Sequence, residues 1–158
     1  KELGGGALLD AGGYVTKLAS LFLGDTVEVK AASLHGMPGY EVDMFGSATF
    51  ENEKQEVVQG GFGLDCHYQC SLEVWGNRGK LFTNRIFTAP KGYKPTALLE
   101  TSEGQRTIEL PQDGHFKNSI QRFIEATQNA ALRKKMADDM ECQSRLIDEI
   151  RRKANAEV

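Results

Sequence analysis

Residues 4–14 read Gly4-Gly5-Gly6-Ala7-Leu8-Leu9-Asp10-Ala11-Gly12-Gly13-Tyr14, and the rest of the chain is understood outward from this stretch. From Leu8, apolar residues recur at Ala11, Val15, Leu18 and Phe22, which is the spacing of one buried helical stripe. Gly24-Asp25 is a plausible stop. The opposite side of the predicted helix carries Gly6, Asp10, Gly13, Tyr14 and Lys17. Asp10 and Tyr14 are four residues apart, so their side chains rise from one face. Gly6 and Gly13 beside them remove bulk and let a ligand approach the backbone. A carboxylate accepts from hydroxyls and a phenol donates to a carbonyl oxygen, so the pair suits a hydroxyl- or carbonyl-bearing ligand. An acid placed for the helix dipole beside a boundary aromatic would have the same spacing. Residue types alone leave both readings open.

Downstream the period changes from helix to strand. Val42, Met44, Gly46, Ala48 and Phe50 alternate with Asp43, Phe45, Ser47 and Thr49. Strands are also predicted over 26–34, 56–63, 68–76, 80–87, 96–101 and 106–110, with Gly76-Asn77-Arg78-Gly79 and Glu103-Gly104 as hairpin turns. Helical spacing returns at Phe116, Ile120, Phe123 and Ile124, with Asp113 or Gly114 as the cap. It continues through Leu132, Met136, Met140, Ile147 and Ile150, with Glu141–Arg145, Asp148–Arg152 and Glu149–Lys153 expected as surface pairs. The expectation is an α+β domain: an open, largely antiparallel sheet of about six strands with helices on one face. The other face needs a cover, and Phe45, Phe62, Leu72 and Trp75 are candidates for it. A homodimer through the open sheet is the expected cover.

Composition narrows the function classes. With 158 residues and 40% hydrophobic content, the chain suits one well-cored domain, residues 1–158. Nineteen Lys+Arg against 22 Asp+Glu give a net charge of −3, which argues against nucleic acid as the partner. No apolar run reaches the roughly 20 residues that cross a bilayer, and the first residues are unlike a secretory signal. Three cysteines cannot all pair within the chain, so a cytoplasmic location is expected.

Other chemistries find less support. Cys66-His67-x-x-Cys70 lacks paired zinc spacing, and in an extended strand its thiols would sit roughly 13 Å apart. No metal is expected there. His35 and His115 lie beside glycines and have no evident Ser or Cys partner for a hydrolase triad. The Gly4-Gly5-Gly6 run has neither dinucleotide spacing after a strand nor a following Lys-Ser/Thr.

The run Gly4-Gly-Gly-Ala-Leu-Leu-Asp10-x-Gly12-x-Tyr14 resembles the motif that opens the C-terminal domain of the glucose–fructose oxidoreductase, inositol dehydrogenase and MocA family. There the pattern runs Gly-Gly-Gly-x-Leu-x-Asp-x-Gly-x-His/Tyr. Val42-Asp43, Val74-Trp75-Gly76 and Gly76-Asn-Arg-Gly79-Lys80-Leu81 are similar to later landmarks of that domain. The resemblance implies a substrate and dimerisation domain that works beside an N-terminal Rossmann domain binding NAD or NADP, with hydride passing to or from a sugar carbon. It implies Asp10 as substrate-orienting acceptor and Tyr14 as proton donor or acceptor. Gly6, Gly13 and Lys17 become substrate-facing residues; Lys17 stands where the family often has an aspartate, and it reads either as a contact for an anionic substrate or as a solvated helix lysine. Tyrosine in place of the commoner histidine, with Phe87-Thr-Ala-Pro90, looks closer to ketoreductases of nucleotide-linked deoxysugars. The family's Gly-rich nucleotide loop and its Glu-Lys-Pro segment have no counterpart here. The NAD(P)-binding half is therefore expected to be missing, and this chain alone is expected neither to bind NAD(P) tightly nor to turn over. A non-catalytic α+β module that binds a ligand or partner is the alternative.

Overall fold

The computed structural model describes residues 5–156, so Gly4 of the opening motif lies outside the described residues. In chain order the elements are a π-helical turn (Leu8–Gly12), α1 (Gly13–Leu23), β1 (Glu28–His35), β2 (Phe45–Glu51), β3 (Val57–Gly63), β4 (Leu72–Gly76), β5 (Gly79–Thr83), β6 (Thr96–Thr101), β7 (Gly104–Glu109), α2 (His115–Gln128) and α3 (Ala130–Ala156). Every strand pairing is antiparallel, as expected for an α+β fold. The strands form two sheets, β1-β2-β3 and β4-β5-β6-β7, each in its own structural unit.

The first unit contains the helical turn, α1, β1–β3 and α3. Strand alternation puts Ala48 and Phe50 of β2 on the inner face, paired with Ala32 and Val29 of β1 and with Gly60 and Val58 of β3. A bulge between Val29 and Ala31 resets the alternation, so Val29 and Ala32 both turn inward. Leu8, Ala19, Leu23, Leu146 and Ile150 of the helices close over this face, and Phe50 at the centre is completely buried. A Cβ on Gly60 would overlap Val15, so α1 lies as close to β3 as a glycine permits.

Polar contacts lock the layers together. Arg145 and Glu149 of α3 pair at 2.7 Å and both reach the start of β1. Arg145 Nη2 donates to the Val27 carbonyl at 2.9 Å, and the Val29 amide donates to Glu149 Oε2 at 3.1 Å. Asn52, buried beyond β2, donates from Nδ2 to the last carbonyl of α1, Leu23, at 3.1 Å. Its Oδ1 accepts the amides of Lys54 and Glu56 at 3.0 Å each, so one side chain shapes the β2–β3 turn and caps a helix.

The second unit contains β4–β7 and α2. Gly76 pairs with Gly79 and Thr101 with Gly104, so both predicted hairpins form. On one face Lys80 lies 3.8 Å from Glu73 and 3.6 Å from Glu100, while Trp75 Nε1 donates to Glu73 and its ring remains exposed.

Several sequence expectations change. Phe62 is a core residue, because its register with Gly46 places it on the helix-covered face. Phe45 and Trp75 are exposed, as their assignment to an open face required. The α2 stripe of Phe116, Ile120, Phe123 and Ile124 is exposed, because no described element packs over it. On α3 the fully buried side chains are Leu146 and Ile150, while Met140 is exposed. The helix pairs are Lys134–Asp138, Lys135–Asp139, Arg145–Glu149 and Arg151–Asp148, because Arg145 and Glu149 are recruited by β1 rather than by the surface.

The two kinds of phenylalanine should separate in urea denaturation of this chain. Phe50→Ala is expected to cost about 3–5 kcal/mol, as for a large side chain deleted from a filled core. Phe116→Ala, at an exposed position, should stay within about 0.5 kcal/mol.

Candidate active site

The helical turn that opens α1 is suspended from the sheet by one residue. Asp43 lies just before β2, where the Met44 amide donates to His35 O and the Leu64 amide to Met44 O, each at 2.8 Å. Its carbonyl accepts the Ala7 amide at 2.8 Å, and its Oδ2 accepts the Leu8 amide at 2.6 Å. Two otherwise orphaned amides at the helix entrance are thus satisfied from a distant strand. Negative charge at that end is also favoured by the helix dipole. Gly6 makes the contact sterically feasible: its φ is +124°, and a Cβ there would overlap the Asp43 carboxylate.

The next five residues, Leu8–Gly12, wind as a π turn before α1 begins. A π turn holds more residues than an α turn, so side chains four apart across it lie more nearly one above the other. Thr16, fully buried, donates from Oγ1 to the Gly12 carbonyl at 2.8 Å where the two helix types join. Asp10 and Tyr14 are both exposed, and Tyr14 retains 46% of its surface. Helix geometry sets the two side chains on the same water-facing side.

The remaining predicted site residues are engaged within the chain. Gly6 is buried under Asp43. The Gly13 carbonyl accepts from Gln143 Nε2 of α3 at 2.9 Å. Lys17 Nζ lies 3.5 Å from Asp139 of α3, and both side chains are partly exposed. Asp43 is the residue that local pattern missed as a support, since it acts across 35 positions of sequence. Elsewhere, His35 stacks on Phe45 with ring centres 5.0 Å apart, and Cys70 Sγ accepts the Phe87 amide at 3.1 Å. Among the described residues no three His, Cys, Asp or Glu side chains converge as metal ligands.

A family model described as the GFO/IDH/MocA C-terminal domain matches residues 1–82, over half of the chain. The chain belongs to that family. A dTDP-3,4-didehydro-2,6-dideoxy-alpha-D-glucose 3-reductase of Actinomadura kijaniata is 32% identical over 150 residues, covering 95% of this chain and 45% of the relative. The same-named protein of Saccharopolyspora spinosa is 34% identical over 122 residues, covering 77% of this chain and 37% of the relative. The chain thus spans less than half the length of these relatives. Among solved structures, a variant of a 3-ketoreductase from Actinomadura kijaniata, crystallised with TDP-benzene and NADP, superposes with a TM-score of 0.89 at 32% identity. That match covers 96% of this chain and 48% of the other. A Thermotoga maritima structure that is 13% identical, with a TM-score of 0.68, shares the fold.

The anchoring of the helix can be tested on stability alone. Gly6→Ala forces a side chain into a left-handed backbone against Asp43 and should cost about 1–3 kcal/mol in chemical denaturation. Lys17→Ala removes only a surface ion pair and should cost less than about 1 kcal/mol.

Proposed function

We propose that this chain, residues 1–158, is the C-terminal substrate-binding and oligomerisation domain of an NAD(P)-dependent oxidoreductase. In this reading the enzyme transfers hydride to or from a carbon of a sugar or, more specifically, a nucleotide-linked sugar. The observation that carries the proposal is the exposed Asp10–Tyr14 pair on a helix whose entrance is pinned at Gly6 and Asp43. The family membership and the names of the relatives supply the reaction class.

The described residues do not fit a dinucleotide site. All their strand pairs are antiparallel, and no Gly-rich loop joins a strand to a helix, so the parallel unit such sites are built on is lacking. NAD(P), when bound by another part of the enzyme, supplies or accepts the hydride.

Four tasks fall to the residues of this chain. The Asp10 carboxylate accepts a hydrogen bond from a sugar hydroxyl and fixes the ring's orientation. The Tyr14 phenol donates a proton to the carbonyl oxygen as it becomes an alcohol, or takes that proton back in the reverse direction. Lys17, held only by a 3.5 Å pair at the surface, is readily drawn to an anionic group on the substrate, and Gly13 keeps the helix surface low beside Tyr14. The protein is proposed to act in the cytoplasm.

The outer face of β1-β2-β3 supports the dimer part of the reading. It presents Ala31, Ser33, Ser47, Thr49 and the His35–Phe45 stack, with Ser33 and Ser47 hydroxyls 3.1 Å apart. Small side chains make this face flat enough to seat a second copy of itself. Sedimentation of the chain is expected to show a dimer, and Ser47→Arg should convert it to a monomer with unchanged circular dichroism.

Catalysis is tested in the complete enzyme. Tyr14→Phe should lower kcat on a nucleotide-linked ketosugar by roughly a hundredfold or more, as for loss of a general acid. Asp10→Asn should reduce both kcat and kcat/KM. Unchanged turnover by Tyr14→Phe would remove that phenol from the reaction.

A further inference from the structure

The segment that carries Asp10 and Tyr14 is held at both ends by side chains distant in sequence, and each grips its backbone. At the entrance, Asp43 Oδ2 accepts the Leu8 amide at 2.6 Å, two residues before Asp10. At the exit, Gln143 Nε2 of α3 donates to the Gly13 carbonyl at 2.9 Å, one residue before Tyr14. These contacts span 35 and 130 positions of sequence. All the residues involved belong to the first unit. The Gly13 carbonyl opens α1, where a helix satisfies its own carbonyls. The Gln143 bond therefore fixes orientation rather than rescuing an orphaned group.

Between the two contacts the backbone winds as a π turn, Leu8–Gly12, and then enters α1. Single π turns are uncommon and concentrate at functional sites. Were this one to relax to an α-helix, every side chain beyond it would swing about the axis relative to the anchored entrance. Its underside leaves no slack. A Cβ on Gly12 would lie 3.1 Å from the Leu8 side chain and 3.2 Å from the Phe62 ring. Buried Thr16 donates to the Gly12 carbonyl at 2.8 Å, where the turn gives way to α1. An uncommon backbone geometry persists where its surroundings over-determine it. Here they do so from the entrance, the underside and the exit, while Asp10 and Tyr14 remain exposed.

We propose that Asp43 and Gln143 are positioning residues for the reaction, an assignment that rests on the reductase reading above. Asp43 fixes the backbone beside Asp10, and Gln143 fixes it beside Tyr14. Together they hold the carboxylate and the phenol in one relation to the substrate. A displacement of about 1 Å in such a group can cost roughly a hundredfold in rate.

The test uses the complete enzyme with a nucleotide-linked ketosugar. Gln143→Met removes the donor without adding charge and should lower kcat by roughly tenfold, with KM within about twofold. Because Gln143 acts through Tyr14, that loss should vanish beside Tyr14→Phe when single turnovers are measured. Asp43→Ala should lower kcat by a similar factor. Asp43→Asn, which keeps an oxygen acceptor, should recover most of it. Hydrogen exchange supplies a readout independent of turnover: Asp43→Ala should speed exchange across residues 7–14 and leave residues 45–51 unchanged. Wild-type kcat in both Asp43→Ala and Gln143→Met would overturn the assignment. So would a Gln143→Met loss that persists in full beside Tyr14→Phe, or faster exchange spread evenly through the first unit. Either of those marks a purely structural role. A complete enzyme disabled by Tyr14→Phe but indifferent to both variants rejects the positioning role and keeps the reductase. A wild type without such turnover rejects the reductase, and the positioning role falls with it.

Discussion

Asp43 meets the helix entrance at two points, through its carbonyl to Ala7 and its carboxylate to Leu8, and the first unit is organised around that junction. Helices begin with unpaired amides that must find partners. Here the partner comes from the sheet, so the helix cannot rotate or slide without breaking bonds to the backbone just before β2. The junction needs a glycine at position 6, because the carboxylate occupies the space a Cβ would take. The face carrying Asp10 and Tyr14 inherits its orientation from this contact. A rigid support holds exposed side chains in a fixed orientation better than a mobile loop does. The glycine-rich opening of the chain thus has a structural purpose, making room for an anchoring acid, beside any service to a ligand.

The two units are held together by different physics. The first has a conventional core, with Phe50, Leu146 and Ile150 fully buried between three strands and the helices. Its buried polar groups are paired: Asn52 at both ends of its amide, and Thr16 through its hydroxyl. The second buries few large side chains among its described residues, and its loops are instead tied by hydroxyl, amide and cation–π contacts around Arg85. Such contacts are directional and individually modest. They hold a surface in a particular shape more effectively than they resist unfolding.

Much of the fold could be read from periodicity. The alternation of Val42 to Phe50, the two-residue turn at Gly76–Gly79 and the helical stripe from Leu8 to Phe22 each correspond to an element. The motif of residues 4–14 also led to the family that the comparisons identify. The misreadings have a common cause. Phe62, a candidate for the open face, is core, because face assignment cannot be carried across a turn without the register. The stripe of α2 was expected to be buried because amphipathicity shows that a face is apolar without showing what covers it. Arg145 and Glu149 pair with each other rather than with Glu141 and Lys153, because both also reach backbone groups at Val27 and Val29, more than a hundred residues away.

The sequence by itself determined the element types, the glycine-lined helix with Asp10 and Tyr14 four apart, and the family, since these depend on local spacing and residue identity. Only the tertiary structure decided that Asp43 anchors that helix, that Phe62 is core, and that Tyr68, Arg85 and Tyr93 converge on one cleft. Spacing along a chain records which side of an element is apolar or reactive. The partner it meets is chosen by the path of the backbone, and contacts across 17 to 120 positions leave no periodic trace.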